Sequence, residues 1–230
     1  VCDTYQQLSG FRAHDSFGWR LLMSDSIHPN MDGHKRIAEQ LAQAITGLKA
    51  SLANVPPLQS ALQHTLNRIK ANQPVRVLAM TPFDSMIKSA LNHKSNNGQV
   101  EVTTWSVDGM SLAQIKQDAE GRVRSMKPDL VLIAVPRAAK AESDEAFAGS
   151  FAWVMNWSLN FGPPTWDCVV IHPAVADATN TTQPGDNLIR QLVSAQDLHL
   201  IDRTRGDATS PAELIGEWFA EQFAGATAAD

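Results

Sequence analysis

The chain reads as an α/β protein of the doubly wound, three-layer kind, with a five-stranded parallel sheet held between two layers of helices. Three observations predict this. From residue 75 onward, short apolar runs alternate with helical patterns through five rounds. One of those runs, Leu130–Val135, is continuously apolar, as strands buried on both faces of a parallel sheet are. The third is an internal repeat. Asp207-Ala-Thr-Ser210-Pro211 followed by Phe219-Ala-Glu221-Gln-Phe223-Ala aligns without gaps on Asp25-Ser-Ile-His28-Pro29 followed by Ile37-Ala-Glu39-Gln-Leu41-Ala. The end of the chain therefore repeats a block that lies near its start.

The elements follow in order. Val1-Cys2-Asp3 resembles Leu200-Ile201-Asp202 and reads as the end of a strand. A long loop then runs to Asp25; its Phe11, Phe17, Trp19, Leu21 and Leu22 can line a binding site or pack on the rest of the chain. Asp25 and His28 fall on a turn, because His28-Pro29 cannot continue a helix backwards. Pro29 and Asn30 open an amphipathic helix, with Ile37, Leu41 and Ile45 at helical spacing, that runs to about Leu48. Residues 51–74 hold Pro56-Pro57 and then Leu58, Leu62, Leu66 and Ile69, the pattern of a connecting amphipathic helix. Strands are expected at Val75–Met80, Val100–Trp105, Leu130–Val135, Asp167–Ile171 and Leu198–Asp202. Helices are expected at Ser85–Asn92, Ser111–Met126, Asp144–Asn160, Asn187–Gln196 and from Pro211 to about Ala224. Residues 1–50 thus form a fragment, 51–74 a connector, and 75–230 a complete α/β domain.

Composition excludes several function classes. With 43% hydrophobic and 19% charged residues this is an ordinary globular chain. A net charge of −5, a pI near 5.8 and the lack of a Lys/Arg cluster argue against a nucleic-acid partner. No apolar run approaches the roughly 20 residues of a membrane span. Cys2 and Cys168 lack metal-ligand spacing and read as buried free thiols, and no cofactor is implied.

The residues that carry chemistry lie in Asp25-Ser-Ile-His28-Pro29-Asn30-Met-Asp-Gly33-His34-Lys-Arg-Ile37-Ala38. A turn that fixes a carboxylate beside an imidazole, braced by a helix, can hold the imidazole ready as a general base. The bland alternative is a loop histidine next to a helix cap. The whole string resembles the last conserved block of the SGNH, or GDSL-type, serine hydrolases. The resemblance implies a flavodoxin-like α/β/α fold and an esterase that works through an acyl-enzyme. His28 would then be the base and Asp25 the group that orients it, while His34 would pack behind the loop. The family's serine lies in a G-D-S motif after the first strand. None of Ser9, Ser16, Ser24 and Ser26 occupies such a place, so the chain is expected to begin inside the final βα unit of a hydrolase domain. Its substrate would be a small-molecule or carbohydrate ester.

The 75–230 domain answers to the same pattern only in part. Asp84-Ser85 stands where the family has G-D-S, though the pair is also an ordinary helix cap. Asp108-Gly109 resembles the block whose Gly N–H serves the oxyanion hole, and it is equally a turn signal. Where the family places an Asn donor, the chain has Val135-Pro136-Arg137-Ala138. Asp207 is kept, but Ser210 replaces the base. A relocated Ser85–His172 pair is conceivable, since triads are defined by geometry. However, strand four should not neighbour strand one, and His172 reads better as structural. Trp153, off the Phe147-Phe151-Val154-Trp157 stripe, is either a sugar-stacking platform or a contact between domains. Two readings result. One is an SGNH esterase with a degenerate second domain packed against its catalytic one; the other is a binding or interaction module without catalytic activity.

Overall fold

The computed structural model describes residues 3–57, 60–92, 100–160, 165–177, 183, 185–204 and 207–227. The five strands are β1 (Val75–Met80), β2 (Val100–Trp105), β3 (Leu130–Ile133), β4 (Asp167–Ile171) and β5 (His199–Ile201). All pairings are parallel, in the order β2-β1-β3-β4-β5. Parallel neighbours need crossovers, and helices supply them. They are α5 (Asp84–Asn92), α6 (Leu112–Met126), α7 (Asp144–Ser158) and α8 (Asp186–Ala195), with α9 (Pro211–Thr227) closing the unit. Helices α6, α7 and α8 pack side by side on one face of the sheet, and α5 packs with α9 on the other. The strand order reverses between β1 and β3, and in open α/β sheets that reversal opens a crevice at the carboxyl edge.

β3, at the middle of the sheet, is apolar throughout because neither of its faces meets water. β3 and β4 are buried at every position, whereas the edge strand β2 is exposed at Glu101, Thr103 and Thr104. The expected third strand was two residues too long. It stops at Ile133 because the chain leaves the sheet before Pro136, which has no N–H to give a ladder. The third domain helix, expected to reach Asn160, likewise ends early at Ser158, whose hydroxyl turns back onto the Val154 carbonyl. Strand five is trimmed at both ends to His199–Ile201.

Before the sheet lie α1 (Thr4–His14), α2 (Ser16–Arg20), α3 (Met31–Thr46) and α4 (Gln63–Lys70). The long loop expected between Asp3 and Asp25 is therefore mostly helical. Asp3 caps α1 by accepting from the Gln6 N–H, and Asp15 caps α2 by accepting from the Gly18 N–H, at 2.8 and 2.7 Å. Val1 and Cys2, expected to end a strand, lie outside the described residues. The connecting helix is shorter than its apolar spacing suggested. Only Gln63–Lys70 is helical, Leu62 and Leu66 are buried, and Leu58 is not among the described residues. Helices α2 and α3 rest on α7 and α8, so the first fifty residues form an outer layer on that face.

Candidate functional site

The dyad sits in a tight turn between α2 and α3. Met23 and Pro29 form an isolated antiparallel bridge, the Ser24 N–H donates to the His28 carbonyl, and the Asn30 N–H donates to the Leu22 carbonyl. The Asn30 side chain completes the closure. Its Oδ1 caps α3 by accepting from the Gly33 N–H, and its Nδ2 donates to the Leu21 carbonyl at 2.7 Å. Gly33 is required by space rather than by φ. A Cβ there would collide with the Leu22 carbonyl oxygen and the Pro29 ring.

Inside this turn Asp25 accepts three bonds. Its Oδ1 takes the Ile27 and His28 N–H groups, both at 2.8 Å, and its Oδ2 lies 2.7 Å from His28 Nδ1. Burial disfavours the Asp25 carboxylate, yet these donors outweigh it and hold the group below the usual carboxylate range. The Asp25 side chain is 8% exposed, while the His28 ring is 69% exposed. With Nδ1 donating to Asp25, Nε2 carries the lone pair, and it meets no hydrogen-bond partner among the described residues. The arrangement is an imidazole oriented by a buried carboxylate, with its Nε2 uncommitted.

One contributor was missed in the sequence. Arg20, at the end of α2, donates to the Asp25 carbonyl at 2.8 Å and to the Met23 carbonyl at 3.0 Å. No local pattern marks it, because its role exists only once the chain has turned back. Ser24 is committed elsewhere: its hydroxyl meets the Gln196 side chain at the end of α8. His34, expected to brace the loop, has an exposed side chain; the bracing falls to Asn30 and Arg20.

The second block builds a related turn at the carboxyl end of β5. Asp207 Oδ1 accepts from the Thr209 N–H at 2.9 Å, the counterpart of the Asp25 bond to Ile27. An arginine again holds the aspartate's carbonyl, here the fully buried Arg203, which also bonds the Thr209, Ala174 and Val175 carbonyls. Asp207 itself is held below the usual carboxylate range by its bonds to Thr209. At the position of His28, Ser210 and Glu213 form a reciprocal helix cap, Oγ to Oε2 at 2.7 Å.

At the sheet's carboxyl edge the remaining candidates are engaged in turns. Ser85 lies in the first turn of α5, exposed, with Oγ donating to the Pro82 carbonyl at 3.3 Å; Asp84 accepts from Thr104 Oγ1 at 2.6 Å. Gly109 has φ +74°, which accounts for glycine there without any ligand. Arg137, where an Asn donor was sought, is bound to Asp186 at 2.8 Å and to Asp177 at 3.2 Å. Two cavities of about 200 and 490 Å³ open beside it.

His172 is removed from Ser85 by the sheet order, since β3 separates β4 from β1. Its ring is completely buried. Nδ1 accepts from the Ala174 N–H at 3.1 Å, so Nε2 carries the proton and donates to the Asp186 carbonyl at 3.2 Å. Burial pushes this imidazole below its ordinary value despite the nearby Asp202. Trp153, the candidate platform or domain contact, is half-buried. It stacks on Trp157 at 5.6 Å, under Lys116 of α6. Cys168 is buried and free, its thiol pushed up by burial. Among the described residues no cluster of His, Cys, Asp and Glu is fit to hold a metal, and no helix is long and apolar enough to cross a membrane. Comparison with family models, with curated proteins and with solved structures found no match to this chain.

Proposed function

We propose that the chain belongs to a serine ester hydrolase of SGNH type, with His28 as its general base and Asp25 as the group that orients it. One observation carries the reading: a buried, doubly tied carboxylate 2.7 Å from Nδ1 of an imidazole whose Nε2 is uncommitted. Nε2 of His28 takes the proton from a serine Oγ as that oxygen attacks an ester carbonyl. The tetrahedral adduct collapses, and the same proton passes to the departing alkoxide. Water, deprotonated in turn by Nε2, then cleaves the acyl-enzyme to release a carboxylic acid and free serine. Asp25 stays ionised throughout; the bonds that lower its pKa serve that purpose. The serine comes from outside residues 1–230. The substrate is a small-molecule or carbohydrate ester, and no cofactor takes part.

On this reading the 75–230 unit is a pseudo-hydrolase that packs against the catalytic part. The hydroxyls of Ser85 and Ser210 serve helix starts, and Arg137 is held by two carboxylates. The same facts favour the second reading, a non-catalytic binding or interaction module, for residues 1–230 by themselves. Hydrolysis of p-nitrophenyl acetate by the natural polypeptide tests the proposal. His28→Ala should remove about 10³-fold or more of the rate, and Ser85→Ala should leave it within about threefold, because Ser85 is only part of a helix turn. A His28→Ala rate equal to the parent's would refute the assignment.

A further inference from the structure

The sheet's carboxyl edge holds a crevice that neither Asp-turn uses. Where the strand order reverses between β1 and β3, the smaller of the two cavities beside Arg137, about 200 Å³, opens among the segments that leave β1, β3 and β4. Crevices at such reversals are where open α/β sheets take their ligands. The floor is apolar: Phe83, Val135, Ile171 and Pro173 line it, and all four are buried. An apolar cavity of about 150 Å³ already holds benzene, so this one has room for a short aliphatic or aromatic body.

Among the described lining residues only Arg137 and Asp177 are charged. Buried Asp186 already compensates the guanidinium through a two-pronged pair, Nη2 to Oδ2 at 2.8 Å and Nε to Oδ1 at 3.3 Å. That pair by itself ties the loop after β3 to α8. Asp177 meets Nη1 at 3.2 Å, and its side chain is 42% exposed. Each Nη keeps an N–H without a partner among the described residues. The crevice thus presents a cation with unspent donors and, in contact with it, an accessible carboxylate, both above an apolar floor. We propose that it binds a small α-amino acid with an apolar side chain. The ligand's carboxylate takes the open Nη edge of Arg137, its ammonium meets Asp177, and its side chain lies on Phe83, Val135 and Ile171. An α-amino acid carries its ammonium one carbon away from its carboxylate, which suits a guanidinium and a carboxylate that touch. A plain acid would set an anion beside Asp177, and a plain amine would set a cation beside Arg137, each a like-charge contact in a half-buried site. The zwitterion pairs both. The inference does not rest on the hydrolase reading; it gives the 75–230 unit a ligand of its own.

Calorimetric titration of the natural polypeptide with three probes that share one apolar body tests the site. The probes are L-leucine, 4-methylpentanoic acid, which lacks the ammonium, and 3-methylbutylamine, which lacks the carboxylate. Leucine is expected to bind at one site per chain, and each truncated probe to bind weaker by about 10-fold or more. Asp177→Asn should weaken leucine by about 10-fold and leave the acid unweakened, with a thermal melt to show that the variant folds. The probe series needs no variant, so a misfolded Asp177→Asn would leave the test intact. Absence of saturable binding by leucine, valine and phenylalanine alike would overturn the proposal. So would an acid or an amine that binds as tightly as leucine, or leucine binding unchanged in folded Asp177→Asn. Neither His28 nor an ester enters the measurement, so the hydrolase reading stands or falls separately.

Discussion

At the residue scale, the dyad turn is built so that few side chains can be exchanged. Gly33 leaves no room for a Cβ against the Leu22 carbonyl. Gly33→Ala should therefore cost about 1–3 kcal/mol, read as a lowered urea midpoint, and should disturb the His28 tautomer. That tautomer is itself measurable. Long-range proton–nitrogen NMR should find His28 protonated on Nδ1, whereas Asp25→Asn, which can donate to that nitrogen, should shift the proton to Nε2. Buried His172 gives a pH signature with a definite sign. Its folded pKa lies below the unfolded value of about 6.5, so the unfolded chain binds more protons in that range, and stability falls as pH drops below about 6.5. Thermal melts between pH 8 and 5 should show this loss, and His172→Asn should flatten it. Asp25, with its pKa lowered, adds stability that persists well into acid and is lost only as pH falls below the ordinary carboxylate range. The residue-level reading of Asp25 and His28 came from their spacing before a Pro; Arg20 could not, because it reaches the turn only through the tertiary path of α2.

At the element scale, what was legible depended on whether an element announces itself locally. Val75–Met80, Val100–Trp105 and Asp167–Ile171 are readable to the residue because apolar and β-branched residues dominate each run and turn residues follow it. Helices α1 and α2 were not, because their apolar residues keep no helical period and only the caps Asp3 and Asp15 define them. α4 was over-extended for a different reason. Its start is set by a residue far along the chain: Asp167, at the foot of β4, accepts from the His64 and Thr65 N–H groups at 3.1 and 2.7 Å. This is a helix cap supplied from the sheet, and no window around residue 60 contains it. Asp167→Ala should destabilise the unit by about 1–2 kcal/mol in a urea melt, and Asp167→Asn, which keeps one acceptor, by less.

At the scale of the whole molecule, the parallel sheet in the order β2-β1-β3-β4-β5 agrees with the alternation read from residue 75 onward. The sequence could not show how the first fifty residues would lie, because an amphipathic helix reveals that it has an apolar face and not what covers it. They form an outer layer on α7 and α8, with the dyad at its surface. The two Asp-turns share a carboxylate-to-amide bond and an arginine clamp, yet one offers a free imidazole and the other a helix cap. On the hydrolase reading the chemistry lies in the first turn and the serine lies outside residues 1–230. Active-site titration of the natural polypeptide with a fluorophosphonate, the labelled peptide being located by mass spectrometry, tests this most directly. The expected result is one label per polypeptide on a serine outside residues 1–230, abolished by His28→Ala; stoichiometric labelling of Ser85, or labelling indifferent to His28, would refute the assignment.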